Sequence, residues 1–123
     1  MNHDEVLNKL QQLAENSKGL EVVWLYGSRA KNTADVFSDY DLAVAFKRGA
    51  SCDCEDLAYQ WSQVTQESIS IVNINHIPVP LAYNIINEGV VMVCQNSLRL
   101  HSEQSRIWSL WEYYRYEYAK VRN

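Results

Sequence analysis

Apolar residues recur at helical spacing from Val6 and Leu7 through Leu10 to Leu13 and Ala14, which predicts an amphipathic helix over residues 3–17, closed by Gly19. The pattern then tightens. "LEVVWLY" (Leu20–Tyr26) and "DYDLAVAF" (Asp39–Phe46) are dense apolar runs of strand length. "KRGASCD" breaks the pattern as a loop, and Asp53 stands where it can cap a helix running to about Val64. "SISIVNIN" is a third strand, rich in β-branched residues, and "HIPVP" halts it because proline donates nothing to a ladder. "LAYNIINEG" predicts a short helix ending at Gly89, "VVMV" a brief strand, and residues from about 98 to 120 a C-terminal helix. The order α-β-β-α-β-α-β-α predicts an α/β (α+β) fold over a single domain, 1–123, with an open mixed sheet and helices mainly on one face.

Two carboxylates interrupt the second strand. Side chains alternate along a strand, so Asp39 and Asp41 are expected on one face while Tyr40, Leu42 and Val44 take the other. Like charges held that close repel and raise at least one pKa unless a cation lies between them. Mg²⁺ suits such a pair, since it favours carboxylate and phosphate oxygens. Gly27 and Ser28 follow the first strand, where the chain is expected to turn into a short helix, "SRAKN". Main-chain N–H groups at such a turn attract anions, Gly27 allows close approach, Ser28 adds a hydroxyl, and Arg29 and Lys31 add charge. A phosphate cradle beside a metal-binding pair fits attack on a nucleoside triphosphate. Gly-Ser turns and solvated Asp pairs are each common. Gly27-Ser28, ten residues and then Asp39-x-Asp41, each half flanked by an apolar strand, form a more specific pattern.

At "GSRAKNTADVFSDYDLAV" the sequence resembles the DNA polymerase β-like nucleotidyltransferases, and most of all their minimal nucleotidyltransferases. The likeness continues through "ISIVNINHIPVPLAYNIINEGVVMV" and covers most of the chain. It implies a polymerase β palm-like sheet, Asp39 and Asp41 as metal ligands, catalysis by Asp39, Asp41 and Ser28, and nucleotide contacts from Gly27, Ser28, Arg29 and Ser38. It also implies ATP as substrate and a HEPN-domain ribonuclease toxin (HepT-like) as partner in a hetero-oligomeric toxin–antitoxin complex. The implied reaction is transfer of AMP to a tyrosine of that toxin. The sequence departs from the family pattern twice. Asn32 stands where many members have Gly, a change that Asn tolerates because it visits the left-handed region. A third carboxylate is usual in the strand matched by "SISIVNIN", where Ser70 and Asn73 stand instead, with Glu67 just ahead. That absence favours a second reading, an antitoxin that neutralises by binding alone; a transferase for small molecules, as in relatives that modify antibiotics, is a third, ranked lower because so short a chain has little extra domain to shape a pocket.

The four glycines fit neither a Walker A loop nor a dinucleotide fingerprint, and there is no G-x-S-x-G elbow. A net charge of −4 argues against a surface that binds nucleic acid by general attraction and suits a basic partner. Cys52, Cys54 and Cys94 are expected as reduced thiols, because an odd count with a C-x-C pair offers poor disulfide geometry. No segment approaches the length of a membrane span, and a cytoplasmic location is expected. In the C-terminal helix Ile107, Leu110, Trp111, Tyr114 and Tyr118 form an apolar stripe that suits either core or interface.

Overall fold

The computed structural model describes residues 1–50 and 52–122. Its elements follow the predicted order: α1 (His3–Glu15), β1 (Leu20–Tyr26), β2 (Tyr40–Phe46), α2 (Cys54–Thr65), β3 (Ile69–Asn73), α3 (Val79–Glu88), β4 (Val90–Cys94) and α4 (Ser97–Arg122). Local chemistry sets the boundaries. Asn2 accepts a hydrogen bond from the N–H of Glu5 to cap α1, and Asp53 accepts from the N–H groups of Glu55 and Asp56 to cap α2. α2 ends on Gln66 in the left-handed conformation (φ 59°), a stop that carries no glycine signal. The "HIPVP" prolines do more than end a strand. Pro78 is the N-cap of α3 and Pro80 lies in its first turn, where a missing N–H costs nothing.

The four strands form one mixed sheet in the order β3-β2-β1-β4. β1 runs antiparallel to both β2 and β4, whereas β2 and β3 are parallel. The helices divide equally between the two faces, which corrects the expectation that they lie mainly on one. On the first face α1 and α2 bring Val6, Leu10 and Trp61 onto Val23, Leu25, Leu42 and Val44. On the second, α3 and α4 bring Ala82, Ile85 and Ile107 onto Val22, Trp24, Ala43 and Ala45. The physical reason lies in the central strands. β1 and β2 are apolar at odd and even positions alike, so each face exposes a surface that must be covered.

The register shifts between Leu20 and Val22, making Glu21 a bulge residue whose carboxylate accepts from Asn96 and Arg99. Arg99 also donates to the Phe46 carbonyl at 2.6 Å, to Asn75, and to Glu103 at 3.0 Å. Glu103 is 5% exposed and accepts from Asn75 and Arg106 as well. This network pins α4 to the end of the sheet where β1 begins and β2 ends. Further along α4, Trp111 stacks on Tyr83 of α3 at 4.5 Å, and the ladder continues through Tyr114 to Tyr118. The stripe is thus core at Ile107, packed at Trp111 and open to solvent beyond. No helix among the described residues is long and apolar enough to cross a membrane. Cys52, Cys54 and Cys94 are free thiols.

Burial opposes ionisation of Glu103, but hydrogen bonds from Asn75 and Arg106 and the charges of Arg106 and Arg99 hold its carboxyl below the usual range. A depressed folded pKa gives stability that is present above the unfolded value of about 4.3 and is lost as pH falls through the folded one. Glu103→Ala removes the carboxylate paired with Arg106 and one of the two paired with Arg99, and is expected to cost about 3 kcal/mol in urea unfolding at neutral pH. Glu103→Gln should flatten the acid limb of the stability profile below about pH 4.

Candidate active site

The candidate residues gather where β1 ends and β2 begins. Tyr26 is paired with Asp41 across the antiparallel ladder, so the turn after β1 lies directly over the start of β2. Gly27 opens that turn at φ 74°, a conformation that L side chains rarely adopt. A Cβ added there would sit 2.6 Å from Oδ2 of Asp41, so glycine is needed twice: for its backbone and for the carboxylate packed against it. The predicted short helix is a single 3₁₀ turn, Gly27–Arg29. Its hydrogen bonds run from the N–H groups of Ala30 and Lys31 to the carbonyls of Gly27 and Ser28. The leading N–H groups of Ser28 and Arg29 are not used by that ladder, which leaves donors at its head. Asn32 takes φ 57°, the left-handed conformation anticipated for it.

Asp41 is half-buried on the same sheet face as Tyr26, Ala43 and Ala45. Asp39 precedes the strand instead of lying within it, and is exposed. The two carboxylates still sense each other. Burial raises the Asp41 carboxyl above its ordinary range and the charge of Asp39 raises it further. Burial and the Asp41 charge likewise push the Tyr26 phenol upward. Among the described residues no group of three or more acidic, His or Cys side chains could hold a metal. Two carboxylates with an open side nevertheless fit Mg²⁺, which keeps several waters and takes its remaining ligands from substrate phosphates.

Arg29 goes elsewhere. Its Nη2 donates to the Ser38 carbonyl at 3.0 Å, and its guanidinium carbon lies 4.4 Å from the centre of the Tyr40 ring. Tyr40 points to the opposite face from Asp41 and is 1% exposed, with its hydroxyl 3.0 Å from Nδ1 of His3. Arg29 therefore clamps the loop that leads into β2, and its buried Nε has no partner among the described residues. Ser38 is occupied in the same loop, its hydroxyl accepting from the Asp35 N–H. Lys31 forms an ion pair with Glu88 at 2.7 Å, closing one side of a cleft of about 170 Å³ bordered by Tyr26, Gly27, Leu81 and Asn84. Tyr26 and the Lys31–Glu88 pair escaped the sequence reading. The available signal for Tyr26 was its place at the end of β1, immediately before Gly27.

The parallel register settles which β3 residue is near. Ser70 is paired with Asp41, whereas Asn73 is paired with Val44 and so lies on the other face. Glu67 lies near Tyr40, whose phenol is raised by burial, lowered by the Arg29 charge and raised further by that of Glu67.

The mixed sheet thus sets a glycine-led turn at the end of β1 beside an Asp-x-Asp pair at the start of β2, on its two central strands. Residues 8–98 match the family model "Polymerase beta, Nucleotidyltransferase", and the chain belongs to that family. Among solved structures, a chain of a toxin–antitoxin crystal structure with AMP-PNP superposes with a TM-score of 0.81 at 18% identity, covering 94% of both chains. A chain of the MntA–HepT toxin–antitoxin structure gives 0.76 at 16% identity, covering 97% of this chain and 95% of that one. A third, from a tri-AMPylated Shewanella oneidensis HEPN toxin in complex with an MNT antitoxin, gives 0.76 at 16%, covering 96% and 93%. At such identities the likeness establishes the fold. Among curated proteins, none matches the sequence.

Gly27→Ala is expected to cost about 1–3 kcal/mol, from left-handed strain and contact with Asp41. Gly27→Ala combined with Asp41→Gly should cost less than the sum of the single changes, because the second relieves the contact made by the first. Urea unfolding of the four proteins in the cycle measures that coupling; strict additivity would mean the carboxylate does not press on the turn.

Proposed function

We propose that this protein transfers AMP from ATP to a tyrosine hydroxyl of a HEPN-domain ribonuclease toxin and thereby neutralises it, acting in the cytoplasm within a hetero-oligomeric complex. The observation that carries the reading is the placement of Asp41 against Gly27, which puts a partly desolvated carboxylate beside a turn with free N–H donors. The turn would hold the triphosphate, with Ser28 adding one neutral hydrogen bond. Asp39 and Asp41 would hold Mg²⁺, which when bound offsets the charge of the phosphates and of the departing group. The phenol oxygen of the acceptor attacks the α-phosphorus, forming the new P–O bond. The bond from that phosphorus to the oxygen bridging to the β-phosphate breaks, and pyrophosphate leaves with the electron pair. The phenolic proton passes to solvent, since Ser70 stands where a carboxylate base would be. Tyrosine suits a site without that base because its hydroxyl, with a pKa of about 10, deprotonates far more readily than that of serine. The likeness to MntA–HepT and to the AMPylated HEPN complex supports the choice of partner. Geometry leaves Arg29 and Ser38 as supports of the loop beneath Asp39.

A second reading, neutralisation by binding alone, is favoured by the missing third carboxylate. Intact mass spectrometry of the partner after co-expression separates the two: each transfer adds one AMP, and an unmodified but bound and silenced partner establishes the binder. Asp41→Asn should abolish the added mass. It should also raise Tm. A carboxyl whose folded pKa is raised loses stability as pH rises from its unfolded value through its folded one, so at neutral pH the amide removes that cost.

The register gives a sharper test. Ser70→Asp is expected to speed transfer by about 10²-fold or more, the usual worth of a positioned general base, and to move the pH–rate profile toward neutrality. Asn73→Asp, on the opposite face, should leave the rate unchanged.

A further inference from the structure

We propose that the free edge of β3 is the docking site of the acceptor segment, which adds to the sheet as an extended strand and thereby delivers its tyrosine to Asp39 and Asp41. The inference rests on the transferase reading above. β3 is an outer strand, paired on one side only. In its parallel ladder with β2 the N–H of Tyr40 donates to the Ser68 carbonyl and the N–H of Ile74 donates to the Val44 carbonyl. Even-numbered residues therefore turn their main-chain groups toward β2, and Ile69 and Ile71 turn theirs outward. Those N–H and C=O groups have no partner among the described residues, so the edge offers two donors and two acceptors in the spacing of a strand.

An open groove of about 660 Å³ follows this edge, walled by α2 and lined by Ala58, Tyr59, Ile69 and Ile71 together with Glu55 and Glu67. Tyr59 is 64% exposed. The groove has two carboxylates and no basic residue, so it selects a segment carrying Lys or Arg. Strand alternation then dictates the sequence of the guest. Its residues beside Ile69 and Ile71 point toward α2, where apolar side chains meet Tyr59. The residue between them lies beside Ser70 and projects on the face of Asp41. Two strand spacings put its Cα about 10 Å from that of Asp41. A tyrosine leaning over the short Ser70 side chain covers that gap, and a serine falls short. The edge thus selects apolar–Tyr–apolar with flanking basic residues, and it gives Ser70 a role as a passage that a large side chain would close.

Ile69→Pro tests the docking directly, because it removes an outward N–H and leaves the ladder to β2 intact. With the co-expressed HEPN partner as substrate, KM for the partner is expected to rise about ten-fold, as the loss of roughly one hydrogen bond plus strand fit implies, while ATP affinity changes less than two-fold. If circular dichroism shows that Ile69→Pro does not fold, Tyr59→Ala on the exposed face of α2 supplies the same comparison. Hydrogen exchange of the complex should show the Ile69 and Ile71 amides newly protected by the partner. Unchanged KM with unprotected amides, in a wild-type protein that does transfer AMP, would overturn the docking site. So would protection that grows with concentration in the isolated protein, which would place a second copy on the edge. Protected amides without any transfer would support the docking site and remove the enzymatic reading instead.

Discussion

Across the β1–β2 pair, the Asp41 carboxylate lies against the α-carbon of Gly27, and the geometry of the rest of the site descends from that contact. The turn that would hold phosphate and the carboxylates that would hold metal are not brought together by flexible loops. They are neighbours because Tyr26 and Asp41 are partners in a ladder whose strands are buried on both faces. A core packed from two sides has little freedom to slide, so the spacing between turn and carboxylate is fixed before any ligand arrives. Such preorganisation is what a transfer reaction needs, since charge must be met where it develops.

The same contact has a cost. Asp41 is held partly desolvated beside Asp39, and Arg29, a cation expected to serve the site, is committed to Ser38 and Tyr40 on the other face. The active end of the sheet is therefore left with uncompensated negative charge. The opposite end is compensated thoroughly: Glu21 and Glu103 are matched with Arg99 and Arg106, and Asn75 fills a remaining site on Glu103. That distribution is physically consistent, because a destabilised functional end persists only where the surrounding structure holds it in place.

Element order and type were legible because period, caps and punctuation agreed, as at Asp53 and Asn32, where side-chain chemistry determines backbone conformation. The placement of the helices was not. Strand runs such as "VVWL" and "LAVAF" are apolar at every position, which announces burial on both faces, but the tally of helices does not say how they divide. Asp39 and Asp41 were legible as a pair, yet the start of β2 at Tyr40 depends on the loop pinned by Arg29, a tertiary contact with no sequence signature. The Glu21 bulge and the left-handed Gln66 were hidden for the same reason, since neither carries a glycine or proline. Ser70 and Asn73 could not be ranked by strand alternation alone, because that tells apart the two faces only once the register against β2 is known.

The strand order β3-β2-β1-β4 also distributes chemistry over three adjacent strands. β1 ends in the turn with free N–H donors, β2 begins at the carboxylates, and β3 places Ser70 and its free edge beyond them. A donor nucleotide held at the β1 side and an acceptor strand laid on the β3 side would approach the β2 carboxylates from opposite directions. In-line displacement demands that arrangement, with attacking and leaving oxygens on opposite sides of the phosphorus. A parallel β3 matters here. Its start lies at the same end of the sheet as the start of β2, so the open part of its edge is level with Asp41. Reversing β3 would put its C-terminal turn, where the Asn73 carbonyl already accepts from His76, beside the carboxylates. The edge would then be closed at the place where the proposed acceptor strand would enter.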